Sequence, residues 1–97
     1  LAYGCSGAVA SCANVAPRVV ADIYDKYVAG DLAGSLEAQY RLAPLRIATN
    51  MGTFPEVIKE SLNLLGIPVG KCLDPIQELK PEEKEKLRQV LVDMKLI

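Results

Sequence analysis

Seven lysines, at positions 26, 59, 71, 80, 84, 86 and 95, are the groups in this chain with a covalent route to catalysis open to them. A lysine amine held neutral in an apolar pocket condenses with a carbonyl compound to a Schiff base. All seven fall on predicted helices, or on the loops and caps between them, among solvent-type neighbours, so none is expected to be a nucleophile. Cys12 stands at the end of an apolar run and just ahead of a helix start, where a thiolate can be stabilised; a small cysteine packed at a strand end is the plainer reading. There is no histidine. That removes Ser-His-Asp and Cys-His catalysis and histidine-ligated metals from this chain.

The remaining polar patterns carry less. Cys5, Cys12 and Cys72 are odd in number and have no CxxC spacing, so they signal neither a disulfide framework nor a zinc site. Reduced thiols in a cytoplasmic protein are the expectation. Tyr24, Tyr27 and Tyr40 lie on predicted apolar stripes, and Asp22 with Asp25 or Glu82 with Glu83 read as exposed helix charges. Neither GxGxxG nor GxxxxGK[ST] is present, and Gly4 and Gly7 precede the apolar run instead of following it. No cofactor or metal is called for.

A net charge of -1 and a pI near 5.4, with scattered basic residues, give no electrostatic footprint for nucleic acid. No stretch reaches the ~18 apolar residues of a membrane span. With 97 residues, 51% of them hydrophobic, the chain is long enough for one small core. Its first residue is Leu, which suggests an internal point of a longer product.

The elements that would position any chemistry follow from the pattern. Leu1 to Ser6, with Gly4, reads as the tail of a preceding helix. Gly7 to Cys12 is small, apolar and uncharged, as in a strand buried on both faces of a parallel sheet. Asn14 is placed to cap a helix from about Val15 to Ala29, with Pro17 in its first turn. Val15, Val19, Val20, Ile23, Tyr24 and Tyr27 form its apolar stripe. Gly30 ends it and Asp31 caps a second helix, Leu32 to Asn50, whose packing residues are expected to be Leu36, Tyr40, Leu45 and Ile47, with a kink at Pro44. Thr53 is expected to cap a third helix to about Leu65, with Val57, Ile58, Leu62 and Leu65 buried and Gly66 ending it. Ile67 to Leu79 carries Pro68, Gly70 and Pro75 and should be irregular. A last helix begins at Pro81, packs through Leu87, Val90, Leu91 and Met94, and turns Lys84, Lys86 and Arg88 to water.

One βα unit cannot complete a parallel sheet, because its strand needs a parallel neighbour. The chain therefore reads as part of something larger. In a (β/α) barrel the carboxyl end of each strand faces the active site. The alternation along Gly7 to Ser11 puts Val9 and Ser11 on one side.

At these residues the chain resembles a known family. GAVASCANVAPRVVADIYDKYVAGDL is similar to the last barrel strand and helix of the dihydrodipicolinate synthase and N-acetylneuraminate lyase family. RLAPL, PEVIKESLNLLGI and GKCLDPIQELKPEEKEKLRQVL continue the resemblance in order to the end. It implies an α/β TIM barrel of which this chain is the C-terminal fragment, mostly α with one strand: residues 1–29 the last βα unit, and 30–97 a helical appendage. It further implies a pyruvate-dependent aldolase or lyase, often a homotetramer, joining or splitting a 2-keto acid and an aldehyde through a lysine Schiff base. The family's lysine, its catalytic tyrosines and its Gly-Thr-Thr-Gly-Glu loop lie on strands ahead of Leu1, so no catalytic residue transfers. Val9 and Ser11 match positions that contact substrate. Met51 to Lys59 departs from the Asn-Pro-Ile-Pro-Val-Lys run usual in the lysine-pathway synthases, while VGKCLDPIQEL is closer to hydroxy-oxoglutarate and sugar-acid aldolases. The aldehyde is thus left open. The alternative is a free-standing helical module that oligomerises or binds a partner, with no catalytic activity.

Overall fold

The computed structural model describes residues 1–97. Four helices carry it: α1 (Pro17–Val28), α2 (Leu32–Ala48), α3 (Glu56–Leu64) and α4 (Pro81–Asp93), with 3-10 turns at Ser11–Asn14 and Thr49–Met51. The residues group into two compact units, 1–43 and 44–97, and the division falls at Pro44 inside α2. Proline lacks the N–H that would bond the Tyr40 carbonyl, so the helix loses one rung of its ladder at that point.

The expected strand over Gly7 to Cys12 is not present. Residues 5–10 have no regular secondary structure, and Ser11 and Cys12 belong to the 3-10 turn. A strand exists only as half of a ladder, and no other segment of this chain offers it a partner. Gly4, with φ +88°, closes a turn by bonding its N–H to the Leu1 carbonyl at 2.9 Å; the helix tail expected there is absent.

In the first unit, α1 starts two residues later than the sequence suggested, and its N-cap is Ala16, not Asn14. The pyrrolidine ring of Pro17 sets the start, and Cys12, Val15, Ala16 and Val19 are buried beneath it. Asp31 caps α2 as expected, with its Oδ1 accepting the Gly34 N–H at 2.9 Å. The packing face of α2 differs from expectation. Ser35, Ala38 and Leu42 are the buried residues here, whereas Leu36 and Tyr40 are 51% and 67% exposed. The Ser35 hydroxyl donates to the Ile23 carbonyl at 2.6 Å, a contact that only a small side chain allows.

In the second unit the core consists of Ala48, Val57, Leu79 and Leu87, with Met51, Leu64 and Val90 packed against it. α3 lies against α4. Ile47, expected in the core, is exposed, and Leu45 is fully buried. α2 ends at Ala48 and the chain continues as a 3-10 turn instead of helix to Asn50. Thr53 contributes its carbonyl, not its hydroxyl, to the start of α3, accepting the Glu56 N–H at 2.9 Å. Glu56 and Ser61 are buried on α3, and Leu62 and Leu65 are only half-buried.

The helix ends share one device. After α1, α3 and α4 the backbone turns into the left-handed region at Gly30, Gly66 and Lys95, and the amide that follows bonds back to the carbonyl of Lys26, Leu62 or Leu91. Glycine takes that conformation without steric cost. Lys95, with φ +58°, is the exception among the three.

Candidate functional site

The two residues expected to touch a substrate sit at the entrance to the 3-10 turn. Val9 is fully exposed, Ala10 is extended (φ -132°, ψ 115°), and Ser11 is half-buried as the first residue of the turn. An extended residue between them is the condition for positions i and i+2 to share a side. The turn is tied on both sides. Ala13 bonds to the Ala10 carbonyl at 3.0 Å, and the amides of Val15 and Ala16 both bond to the Cys12 carbonyl, at 3.1 and 2.9 Å. Asn14, expected as a helix cap, instead turns its amide back to the Ser11 carbonyl at 3.1 Å. Cys12 is buried among Val15, Ala16 and Val19, so it packs and offers no exposed thiolate.

The lysines are distributed as the sequence suggested, with one correction. None is buried. Lys84 does not simply face water: its Nζ lies 3.3 Å from Glu78 Oε2 and 3.6 Å from Glu60 Oε2. Partial desolvation works against its charge, but Glu78 and Glu60 overcome this and raise its pKa above the usual lysine value. That is the opposite of what a Schiff-base amine needs. Lys71 pairs with Glu78 at 2.7 Å, and this contact, followed by that with Lys84, holds the Glu78 carboxyl below its ordinary value.

These pairs have a pH signature. A carboxyl with a depressed pKa stabilises the fold above its unfolded value and ceases to do so as pH falls through the folded one. A lysine with a raised pKa stabilises below its unfolded value and loses this as pH rises through the folded one. Glu78→Gln is therefore expected to remove a small stabilising contribution at neutral pH and none once the carboxylates are protonated. Urea unfolding across the acid limb, repeated in high salt, checks this; a salt-insensitive difference would contradict it.

The chain also holds a polar arrangement that sequence reading missed. The Glu56, Lys59 and Asn63 side chains recur along α3 at offsets of three and four, and each holds backbone from the irregular segment 67–79. Glu56 Oε1 accepts the Leu79 N–H at 3.3 Å, and Lys59 Nζ donates to the Lys71 carbonyl at 3.0 Å. Asn63 accepts the Val69 N–H at 3.1 Å and donates to the Gly70 carbonyl at 3.0 Å. A segment with no secondary structure must bond its backbone elsewhere, and α3 provides the partners. Cys72 lies along the same segment, where partial burial, then the Glu56 carboxylate, push its thiol up. The available signal was the i, i+3, i+7 spacing of polar residues on α3. This arrangement binds the chain to itself and presents no converging groups to a substrate.

No helix is long and apolar enough to cross a membrane. Comparison with known proteins adds what the isolated geometry lacks. The 4-hydroxy-tetrahydrodipicolinate synthase of Archaeoglobus fulgidus is 34% identical over 97 residues, all of this chain and 34% of that protein. That of Methanoculleus marisnigri is 39% identical over 93 residues, 96% of this chain and 32% of the relative. The chain thus spans about a third of the length of the curated relatives it matches. Among solved structures, a monomeric dihydrodipicolinate synthase variant superposes with a TM-score of 0.93 at 30% identity, covering 99% of this chain and 32% of that one. The dihydrodipicolinate synthase of Thermotoga maritima gives 0.92 at 30% identity, with the same coverage. Since the dihydrodipicolinate synthetase family model matches residues 1–94, nearly the whole chain, this protein belongs to that family.

Proposed function

We propose that this chain is the C-terminal third of a pyruvate-dependent carbon-carbon lyase built on a TIM barrel. In this reading residues 1–29 are the last βα unit and 30–97 a helical appendage. The nucleophilic lysine lies outside the chain, and the intact cytoplasmic protein is a homo-oligomer acting on a 2-keto acid and an aldehyde. Val9 and Ser11 then line the substrate pocket, at the carboxyl end of the strand that residues 7–10 form once neighbours supply its ladder. The observation that carries the reading is the family match over residues 1–94 together with superposition on dihydrodipicolinate synthase backbones over 99% of the chain. The state of the lysines supports it: none is buried, and Lys84 is held charged by two carboxylates.

The test is reductive trapping. Full-length protein is incubated with pyruvate and borohydride, digested, and the pyruvyl-lysine located by mass spectrometry. The adduct is expected on a lysine outside residues 1–97. An adduct on any of the seven lysines within this chain would overturn the assignment.

The exposed apolar side chains of α2, Leu32, Leu36 and Tyr40, favour a second reading, an oligomerising helical module without catalytic activity. In that case trapping yields no adduct anywhere.

A further inference from the structure

We propose that residues 68–77 form a releasable strap: pinned at both ends and held between them by polar side chains of α3, it lifts from that helix and bares Cys72 while the core of α3 and α4 stays folded. The proposal concerns the second unit alone and does not depend on where substrate binds.

Each end of the strap is fastened by contacts that survive its lifting. At the near end the Ile67 amide bonds to the Leu62 carbonyl at 2.9 Å, which closes α3. At the far end Leu79 is part of the core, and Glu78, one residue earlier, lies 3.3 Å from Lys84 of α4. Between these points apolar burial contributes little. Of residues 66–78 only Cys72 and Ile76 are even half-buried, and Leu73 is 86% exposed. The bonds that cross from the strap to α3 are polar and reach solvent: Lys59 Nζ donates to the Lys71 carbonyl, and the Asn63 side chain holds Val69 and Gly70. The other contacts there, Val69 to Ile67, Ile76 to Leu73 and Lys71 to Glu78, run within segment 67–78 itself.

An exposed hydrogen bond is replaced by one to water when it breaks, so its net contribution is small. A segment with few buried apolar side chains and solvent-facing bonds therefore opens at a fraction of the cost of global unfolding. The core has the opposite character, with Leu87 and Leu91 fully buried. Cys72 reports the opening. It follows Lys71 directly, it is half-buried, and in the closed state its thiol feels the Glu56 carboxylate and the Lys59 ammonium of α3.

The experiment labels the full-length protein with fluorescein maleimide, too bulky for a half-buried thiol, and follows Cys72 and Cys12 by peptide mass. Cys12 is buried in the first unit and is the reference for unfolding. Below the unfolding transition the Cys72 rate is expected to be nearly independent of urea, whereas the Cys12 rate rises steeply, because urea sensitivity scales with the surface exposed on opening. Asn63→Ala removes both bonds made by that side chain and should speed Cys72 labelling about tenfold, with its urea dependence unchanged. Leu87→Ala, which weakens the core, should change the Cys72 rate less than about threefold. A Cys72 rate equal to that of the urea-unfolded protein, or one that Asn63→Ala leaves unchanged, overturns the proposal, since α3 then does not hold the strap. A Cys72 rate that climbs with urea as steeply as that of Cys12, or that Leu87→Ala accelerates beyond the stated limit, overturns it as well: the thiol is then reached only through unfolding of the core.

Discussion

Leu87→Ala is expected to lower the unfolding free energy by about 3 kcal/mol, within the ~2 to 5 kcal/mol typical of truncating a buried leucine. Leu87 is fully buried and joins Ala48, Val57 and Leu79 in the core of the second unit. The loss has two parts. The three carbons removed no longer contribute the transfer free energy of their burial, and the cavity they leave collapses only in part. Two further variants give the result its meaning. Leu87→Met conserves volume and should cost less than about 1.5 kcal/mol. Leu73→Ala, at a position 86% exposed, should stay within about 0.5 kcal/mol of wild type. Urea unfolding followed by circular dichroism measures all three, and a loss below about 1 kcal/mol for Leu87→Ala would show that the core described here is not the one that holds the protein.

Glu56→Leu should cost about 1 to 3 kcal/mol, although it replaces a charge by an apolar group in a buried place. Glu56 is 3% exposed and Leu79 is 5% exposed, and the carboxylate accepts the Leu79 amide at 3.3 Å. Removing the acceptor leaves that N–H buried with no partner. The lower desolvation cost of leucine offsets part of the loss, which keeps the expected value below that of Leu87→Ala. Glu56→Gln keeps an acceptor oxygen and should cost less than about 1 kcal/mol. A second readout comes from Cys72, whose thiol is pushed up by partial burial and then by Glu56. Taking away the negative charge should lower that pKa and speed alkylation of Cys72 at mildly alkaline pH, resolved from Cys5 by peptide mass. Equal stability of the Leu variant and wild type, with unchanged alkylation, would exclude Glu56 as the tie between α3 and the segment that ends at Leu79.

How far the chain could be read before its structure differs from element to element. The ends of α1 and α3 were legible because Gly30 and Gly66 act through their own backbone freedom, which needs no neighbour. The start of α2 was legible because Asp31 reaches only three residues forward. The packing of α4 through Leu87 and Leu91 was legible from spacing alone, since that helix has a single apolar side. α2 was misread for the converse reason. It has apolar residues on two sides, and hydrophobicity alone cannot tell which one meets a neighbour; the buried side is that of Ser35, Ala38 and Leu42. The strand over Gly7 to Cys12 was misread as an element of this chain because strand propensity is satisfied only by a partner. Glu56 was passed over because its partner, Leu79, is 23 residues away.

The residues alone determined that this chain has no histidine, where two of its helices stop, at Gly30 and Gly66, and that its last one starts at Pro81. They also carried the four segments whose order pointed to the family. Only the tertiary structure decided which face of α2 is buried, how the irregular segment 67–79 bonds to α3, and that Asn14 turns back to Ser11 instead of capping α1. The difference is one of range. Backbone conformation and helix periodicity are set by a residue and its near neighbours, whereas burial, backbone bonding of irregular chain and the orientation of a polar side chain depend on which distant atoms arrive beside it.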